Sequence, residues 1–257
     1  MIRILKSLLI SFSIYSKIPV PQFAWKEEDM RYTLCFFPWI GAVIGAVLWG
    51  WSLIAEYFSL HYITYVLIGT AIPLLISGGF HVDGYMDTMD AFHSYQAREK
   101  KLDILKDPHI GSFSVIMLVL YYFIYIGGFA QITTKPALAV FCMGFFLSRT
   151  LSGIGVLSFT PAKEEGMLAT FANTAQKWIV LISLYLQVLL CMWIMTMIEI
   201  KTAGLVCAAA IICFCYYRYR SYRELGGITG DVAGYFVTIC EAAMAVAAAV
   251  GSLWSQW

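Results

Sequence analysis

The sequence predicts an all-α, polytopic integral membrane protein with about seven transmembrane helices. Hydrophobic residues make up 60% of the 257 residues and charged residues only 13%, against about 45–50% and about 25% in soluble domains. The mean hydropathy is +0.75. A helix needs about 20 apolar residues to cross a hydrocarbon core of ~30 Å, and seven segments reach or approach that length. These segments are residues 34–55, 62–80, 111–132, 137–159, 178–198, 202–217 and 232–254.

The amino-terminal segment, residues 1–21, precedes the first predicted span. It carries Arg3, Lys6 and Lys17 around a short apolar patch, and a Pro-Val-Pro motif ends it. It lacks the small-residue cleavage site of a signal peptide, so we expect an amphipathic or re-entrant segment at the membrane surface. No linker or internal repeat divides the chain. Residues 1–257 are therefore interpreted as a single transmembrane domain.

Positive charge is divided unequally between the two predicted faces of the bundle. Of the 17 Lys and Arg residues, only Lys135 and Lys201 fall on the side opposite the amino terminus, and Arg149 lies within the fourth span. Cytoplasmic loops hold an excess of Lys and Arg. The distribution therefore predicts a multi-pass protein of the cell (inner or cytoplasmic) membrane with its amino terminus inside. It also gathers three long polar loops in the cytoplasm, residues 81–110, 160–177 and 218–231.

Overall charge and cysteine usage exclude several other classes of protein. The net charge is +1, so nothing indicates a nucleic-acid partner. The seven cysteines lie almost all within apolar runs, without a CxxC pair or a His-rich tract. They are expected to be small buried thiols rather than a disulfide framework or a zinc site.

An acidic pattern opens the loop after the second span. Asp83, Asp87 and Asp90 stand at i, i+4 and i+7, and in a helix they would lie within about 60° of one another. Like charges this close repel one another unless a cation lies among them. Hard oxygen ligands are those that Mg²⁺ prefers. A solvated acidic helix face is the alternative, but the flanks are apolar and no Lys or Arg is interleaved.

A fourth carboxylate, Asp231, follows a glycine-rich stretch at the start of the seventh span. Glycine allows backbone N–H groups to approach a ligand, and a helix amino terminus favours an anion. Gly227, Thr229, Gly230 and Asp231 are therefore candidates to bind phosphate or to complete the metal site. A plain loop in which Asp231 caps the helix explains the local sequence equally well.

Other ionisable residues suggest roles that the sequence leaves open. His81 precedes the acidic pattern and is a candidate general base, although an isolated His at a helix start is more often only hydrogen-bonded. Bases between residues 98 and 106 suit phosphate neutralisation or, for Lys100 and Lys101, simply set the topology. Arg149 and Glu241 lie within apolar spans, where they serve either as a structural ion pair or in substrate binding.

At these residues the sequence resembles the adenosylcobinamide-GDP ribazoletransferase family. The similar motifs occur in the same order over most of the chain. Four departures are Lys17 in place of Arg, Ala91 in place of Gly, Pro108-His109 in place of Ser-Arg, and Thr238 where an acidic residue is expected. The matching segments are Lys17 to Pro21, Phe37 to Gly41, Gly78 to Asp90, Arg98 to Asp107 with Ile110 and Gly111, Glu164 to Gly166, and Gly226 to Asp231 with Gly234.

The resemblance implies a Mg²⁺-dependent transfer of phosphocobinamide from adenosylcobinamide-GDP to α-ribazole or α-ribazole 5′-phosphate, with release of GMP. Asp83, Asp87, Asp90 and Asp231 would bind the metal. His81 or Asp231 would orient or deprotonate the ribose hydroxyl. The implied substrate-binding residues are Arg98, Lys106, Asp107, Glu165, Gly227, Thr229 and Gly230.

Two other functions compete with this interpretation. A different Mg²⁺-dependent membrane phosphotransferase or prenyltransferase also uses Asp-rich helices with a diphosphate substrate, but the phosphotransferases with a DGxxAR motif have a longer Asp spacing. A transporter would place carboxylates near the membrane midplane and would show inverted repeats. Besides its substrates, the expected partner is the lipid bilayer, and a homo-oligomer is compatible with the sequence.

Overall fold

The computed structural model describes residues 2–21, 23–162 and 175–254, and within them the regular elements are helices. A single 3₁₀ turn, Glu27–Met30, lies between the first two of these helices. The helices are α1 (Ile2–Tyr15), α2 (Thr33–Tyr57), α3 (Tyr62–Ser77), α4 (Phe80–His93), α5 (Arg98–Ile104), α6 (Ser112–Ala130), α7 (Lys135–Ser158), α8 (Lys177–Ile198), α9 (Ile200–Leu225) and α10 (Gly230–Trp254).

The predicted all-helical, polytopic fold is confirmed, with six to seven candidate membrane spans. Six helices, α2 and α6 to α10, are long and apolar enough to cross a membrane, and α3 with α4 forms a seventh candidate bent by 92°. Two predicted boundaries were wrong. The second span ends at Ser77 rather than at residue 80, because the chain turns there. The sixth continues to Leu225, because Tyr217, Ser221 and Leu225 are buried against the bundle although the segment is polar.

The helix ends form two groups, as alternating spans require. At one end, the Gly111 N–H that precedes α6 donates to Asp90 of α4, and Ile228 before α10 pairs with Thr160 after α7. We call this end the carboxylate face because it holds Asp83, Asp87, Asp90 and Asp231. At the opposite face, Lys135 pairs with Glu56 at 2.8 Å, and the Thr133 N–H donates to Ser252 at 2.9 Å.

Helices α7 and α10 form the centre of the bundle. In the most apolar stretches, 89% of α7 and 67% of α10 are buried, against 28% of α6 and of α8. The outer helices expose large apolar side chains such as Leu189 and Trp193, as expected for a surface facing lipid tails. Gly41 and Gly45 let α2 cross α7 closely, because a Cβ at either position would collide with the backbone of Phe145 or Cys142. Such close crossings are typical of membrane helix pairs.

The amino-terminal helix α1 lies against the bundle without crossing it. Its 14 residues would span about 21 Å, less than a hydrocarbon core. Ile10 and Tyr15 are buried, whereas Ile4 and Leu5 are more than half exposed. Lys6 pairs with Asp29 at 3.1 Å. This agrees with the expected amphipathic segment rather than with a re-entrant one.

Candidate active site

Two glycines create the bend that places α4 across the carboxylate face. Gly78 and Gly79 have φ values of +66° and +81°, a region that residues with a Cβ rarely adopt. The chain therefore turns sharply within two residues, and α4 leaves the axis of α3 at 92°. Helix α4 contacts the loop before α6 through Asp90 and the start of α10 through Gly84.

The helix over the acidic pattern is confirmed, and it brings the stripe to Asp231. Gly84 lies where α4 crosses the start of α10, and a Cβ there would lie 2.7 Å from the carbonyl oxygen of Asp231. The two backbones are therefore in contact. Asp83 and Asp87 flank this crossing on α4, so residues almost 150 positions apart in the chain share one corner of the molecule.

Negative charge at this corner is not fully compensated. The pKa of Asp87 is raised to about 6, first because the carboxyl is partly buried and then because Asp83, Asp231 and Asp90 lie nearby. Each neighbouring carboxylate disfavours ionisation of the others. A bound cation would reverse that effect, so the electrostatics favour a metal or a cationic ligand here.

Asp90 has a structural role as well as its place in the stripe. Its two carboxylate oxygens accept hydrogen bonds from the backbone N–H groups of Gly111, at 2.7 Å, and Ser114, at 2.9 Å. These donors belong to the amino-terminal end of α6, where N–H groups have no partner within the helix. Asp90 therefore caps α6, and this bond holds the loop that contains α5 against α4.

The carboxylates at this corner are chemically suitable ligands for Mg²⁺, although their side chains do not form an ion-binding arrangement. Among residues 2–21, 23–162 and 175–254, no three His, Cys, Asp or Glu side chains are arranged to hold an ion. Carboxylate oxygens are nevertheless the ligands that Mg²⁺ selects, and it retains waters and binds through few carboxylates. Asp83, Asp87 and Asp231 meet that requirement. Asp90 fits less well, because both of its oxygens already accept backbone hydrogen bonds.

The glycine-rich loop before α10 is held by a short backbone pairing. Ile228 donates to Thr160 at 2.9 Å and accepts from Ala162 at 2.8 Å. The hydroxyl of Thr229 accepts from the Val232 N–H at 3.3 Å, so Thr229 caps α10. The alternative in which Asp231 is the cap was wrong, since α10 begins one residue earlier, at Gly230. Asp231 therefore belongs to the first turn of α10, close enough to Asp87 that burial and this neighbour both raise the pKa of that carboxyl.

The basic loop contributes one residue to the site and one to the fold. Arg98 lies directly against Gly226, where a Cβ would collide with its guanidinium group, so this cation reaches the glycine loop. Lys101 instead contacts Glu224 at 2.5 Å, and Arg220 joins the same carboxylate at 3.2 Å. The Lys101–Glu224 pair joins α5 to α9, whereas Arg220 and Glu224 are both in α9. The two alternatives for Lys101, phosphate neutralisation and a topology-setting charge, stay predictions.

In the described part of the chain, no contact places the remaining predicted substrate-binding residues near the four carboxylates. Lys106 and Asp107 are exposed, and Asp107 pairs with the ring of His109 at 2.6 Å and accepts from its N–H. Glu165 lies outside the described residues. Their assignment to substrate binding stays a prediction.

His81 is placed beneath the carboxylates rather than among them. Its side chain is 5% exposed, and its ring packs against Phe37 and Phe80 at centroid distances of 5.6 and 5.5 Å. Below it, Arg149 and Glu241 form a buried ion pair at 2.5 Å. The structural alternative for Arg149 and Glu241 thus matches the geometry, and His81 has little access to a substrate at the open face.

A groove beside Asp83 adds a residue that the sequence did not single out as a site residue. It has a volume of about 460 Å³ and is lined by Ser13, Ser16, Lys17, Gly79, Asp83 and Met86. The aliphatic part of Lys17 lies over Gly78. In the described part of the chain, Lys17 has no ion-pair partner. Its place in the segment Lys17 to Pro21, which matches the family motif, was the available signal.

Comparison with known proteins identifies the family. The cobalamin-5-phosphate synthase family matches residues 7–249. An adenosylcobinamide-GDP ribazoletransferase of Lachnoclostridium phytofermentans is 43% identical over 96% of this chain and 95% of its own length. Another of Clostridium botulinum is 31% identical over 93% and 95%, and one of Clostridium perfringens is 28% identical over 92% and 94%. No solved structure gives a significant match. This chain belongs to the cobalamin-5-phosphate synthase family.

Proposed function

We propose that this chain transfers the phosphocobinamide group of adenosylcobinamide-GDP to α-ribazole or α-ribazole 5′-phosphate, and releases GMP, at the carboxylate face. The relatives named above carry this activity in their names. The observation that carries the assignment to this corner is the contact of Gly84 with Asp231, which joins an acidic helix to a glycine-rich helix start. Such a combination suits a diphosphate substrate.

Mg²⁺ is the metal that we propose for this site. When bound, it would offset the charge that develops on the phosphoryl group and on the GMP leaving group. Asp83, Asp87 and Asp231 would hold it. The backbone N–H groups of Gly230 and Asp231 belong to the start of α10, where they would bind phosphate oxygens.

The chain's own residues also have to bind the acceptor and remove a proton from it. The attacking ribose hydroxyl loses its proton as the new P–O bond forms, and the GMP phosphate leaves as an anion that needs no strong acid. Asp231 is our candidate to orient or deprotonate that hydroxyl, since His81 is buried. The groove beside Asp83 lies within the ~300–1,000 Å³ typical of small-molecule sites and is our candidate acceptor pocket.

The alternatives receive less support from the geometry. A transporter would be expected to place its carboxylates near the middle of the membrane, whereas the four Asp residues lie at one end of the bundle. Arg149 and Glu241 pair with each other inside the protein. Family membership disfavours a prenyltransferase or a DGxxAR-type phosphotransferase.

The direct test is GMP release by purified protein in lipid. We expect product only when adenosylcobinamide-GDP, α-ribazole or its 5′-phosphate, and Mg²⁺ are all present. Omission of either substrate should abolish release, and EDTA should abolish it reversibly. Release that continues without an acceptor, or with EDTA, would contradict the proposed transfer or its metal dependence respectively.

Metal binding should depend on pH through Asp87. Ligand carboxylates must be ionised, so the Mg²⁺-induced rise in melting temperature should diminish as the pH falls through about 6. Without metal, stability depends on pH in the opposite direction. Because the pKa of Asp87 is raised to about 6 in the folded protein, protonation of this carboxyl relieves repulsion. The protein therefore becomes more stable as the pH falls through about 6. Asp87→Asn should remove both effects. An unchanged response to Mg²⁺ at a pH of about 5 would contradict this account.

We also propose that the carboxylate face is cytoplasmic, because nearly all Lys and Arg outside the spans lie on that side. A Cys at position 100 should be shielded from an impermeant thiol reagent in intact cells, whereas a Cys in place of Tyr57, which is 83% exposed at the opposite face, should react. The unsubstituted protein, with its seven native cysteines, is the control. Labelling of position 100 from outside would show the reverse orientation.

A further inference from the structure

A small cavity with several polar side chains in its wall lies beneath the carboxylate face, among α3, α4, α6, α7 and α10. Its volume is about 20 Å³, and the polar side chains around it include Thr70, Ser77, His81, Tyr125, Arg149 and Glu241. The ion pair of Arg149 with Glu241 forms part of its wall. In a membrane bundle, polar groups at this depth need partners inside the protein.

Several of these groups have no hydrogen-bond partner among the described residues. They are both ring nitrogens of His81, the hydroxyl of Tyr125 and the Nε of Arg149. The three side chains are 5%, 1% and 1% exposed, so bulk solvent cannot satisfy them. Buried polar groups without partners are rare because each costs free energy. That such groups surround one cavity indicates a shared ligand.

We propose that this cavity binds an ordered water molecule that joins His81 and Tyr125 to the Arg149–Glu241 ion pair. A water needs about 10–15 Å³ and two to four polar partners, and the cavity provides both. The guanidinium of Arg149 disfavours a cation there, and an anion would face Glu241. An apolar occupant would leave the polar atoms unsatisfied.

The hydrogen-bonding capacity of the wall is suited to water. Arg149 Nε can only donate, and Tyr125 can donate or accept. A neutral imidazole offers one N–H donor and one acceptor nitrogen. A water that accepts from Arg149 Nε can donate to the acceptor nitrogen of His81 and to the Tyr125 oxygen, which gives each of the three side chains one partner.

This water gives His81 a positioning role at the start of α4. The Thr238 hydroxyl of α10 already donates to the His81 carbonyl oxygen at 3.1 Å. Together, the two contacts fix the first turn of α4 to the centre of the bundle, and Asp83 lies two residues further along. The inference concerns internal structure, so it does not depend on the proposed reaction.

A double-mutant cycle on stability in lipid tests the proposal. Tyr125→Phe and His81→Leu should each lower the melting temperature by about 2–4 °C, and together by clearly less than the sum, because the second change removes a partner already lost. Tyr217→Phe is the matched control, since that hydroxyl is also buried and unpartnered but lies outside the cavity. The change in melting temperature caused by Tyr217→Phe should add to that caused by His81→Leu. Additive losses for Tyr125 and His81 would overturn the proposal.

If His81→Leu does not fold, His81→Asn serves in the same cycle. A high-resolution structure in lipid then separates water from direct contact. We expect isolated density within about 3.2 Å of Arg149 Nε and of Tyr125 Oη or a His81 nitrogen. Direct hydrogen bonds among these atoms, or a side chain from elsewhere filling the cavity, would overturn the proposal.

Discussion

Asp87→Asn is expected to lower turnover by at least ~10²-fold, the scale of losing a main charge-stabilising group, while the protein remains folded and inserted. Burial and the neighbouring Asp83, Asp231 and Asp90 raise the pKa of Asp87. The charge of Asp87 therefore interacts with all three neighbouring carboxylates. Asp231→Asn should have an effect of similar size. GMP release by purified variants in lipid measures both.

The two substitutions should not act independently. If both carboxylates serve one metal and one diphosphate, the double variant should lose far less than the product of the single losses. Asp107→Asn is a suitable control, because that carboxylate is exposed and pairs with His109. It should change turnover little, and its effect should multiply with that of Asp87→Asn. Fully multiplicative losses for Asp87 and Asp231 would show two separate sites.

Gly84→Val is expected to lower turnover about as much as Asp87→Asn does, although it removes no functional group. A Cβ at this position would lie 2.7 Å from the Asp231 carbonyl oxygen, so α4 must move away from α10. A displacement of about 1 Å in a catalytic arrangement can cost ~10²-fold. Turnover should fall, and the Mg²⁺-induced rise in melting temperature should weaken.

Gly127→Val is the matched control for this substitution, because no atom lies within 4 Å of a Cβ at Gly127. It should remain inserted and active. Near-normal turnover for Gly84→Val would mean that the contact of α4 with α10 does not set the geometry of the site.

The membrane architecture could be predicted because hydropathy and span length are local properties. Apolar runs located the helices to within a few residues, except where polar residues continue a helix, as at the end of α9. The bend at Gly78 and Gly79 could not be predicted in the same way. Two consecutive glycines indicate a turn, but the 92° angle depends on how α4 packs against α10.

The candidate site was predictable as a set of residues but not as an arrangement. The i, i+4, i+7 spacing of Asp83, Asp87 and Asp90 indicated one helix face, and a helix is found there. Spacing could not show that Asp90 caps α6, since that depends on a tertiary contact with Gly111. Nor could it show that His81 turns inward, because one His beside an acidic run is compatible with either side of the helix.

An experimental structure in lipid with Mg²⁺ and adenosylcobinamide-GDP tests the shared pocket most directly. The account predicts a metal ion about 2.0–2.1 Å from an oxygen of Asp83, Asp87 or Asp231, with the diphosphate beside Gly230 at the start of α10. A metal and diphosphate bound elsewhere, with Asp87 and Asp231 too far apart to share one ion or phosphate, would contradict it.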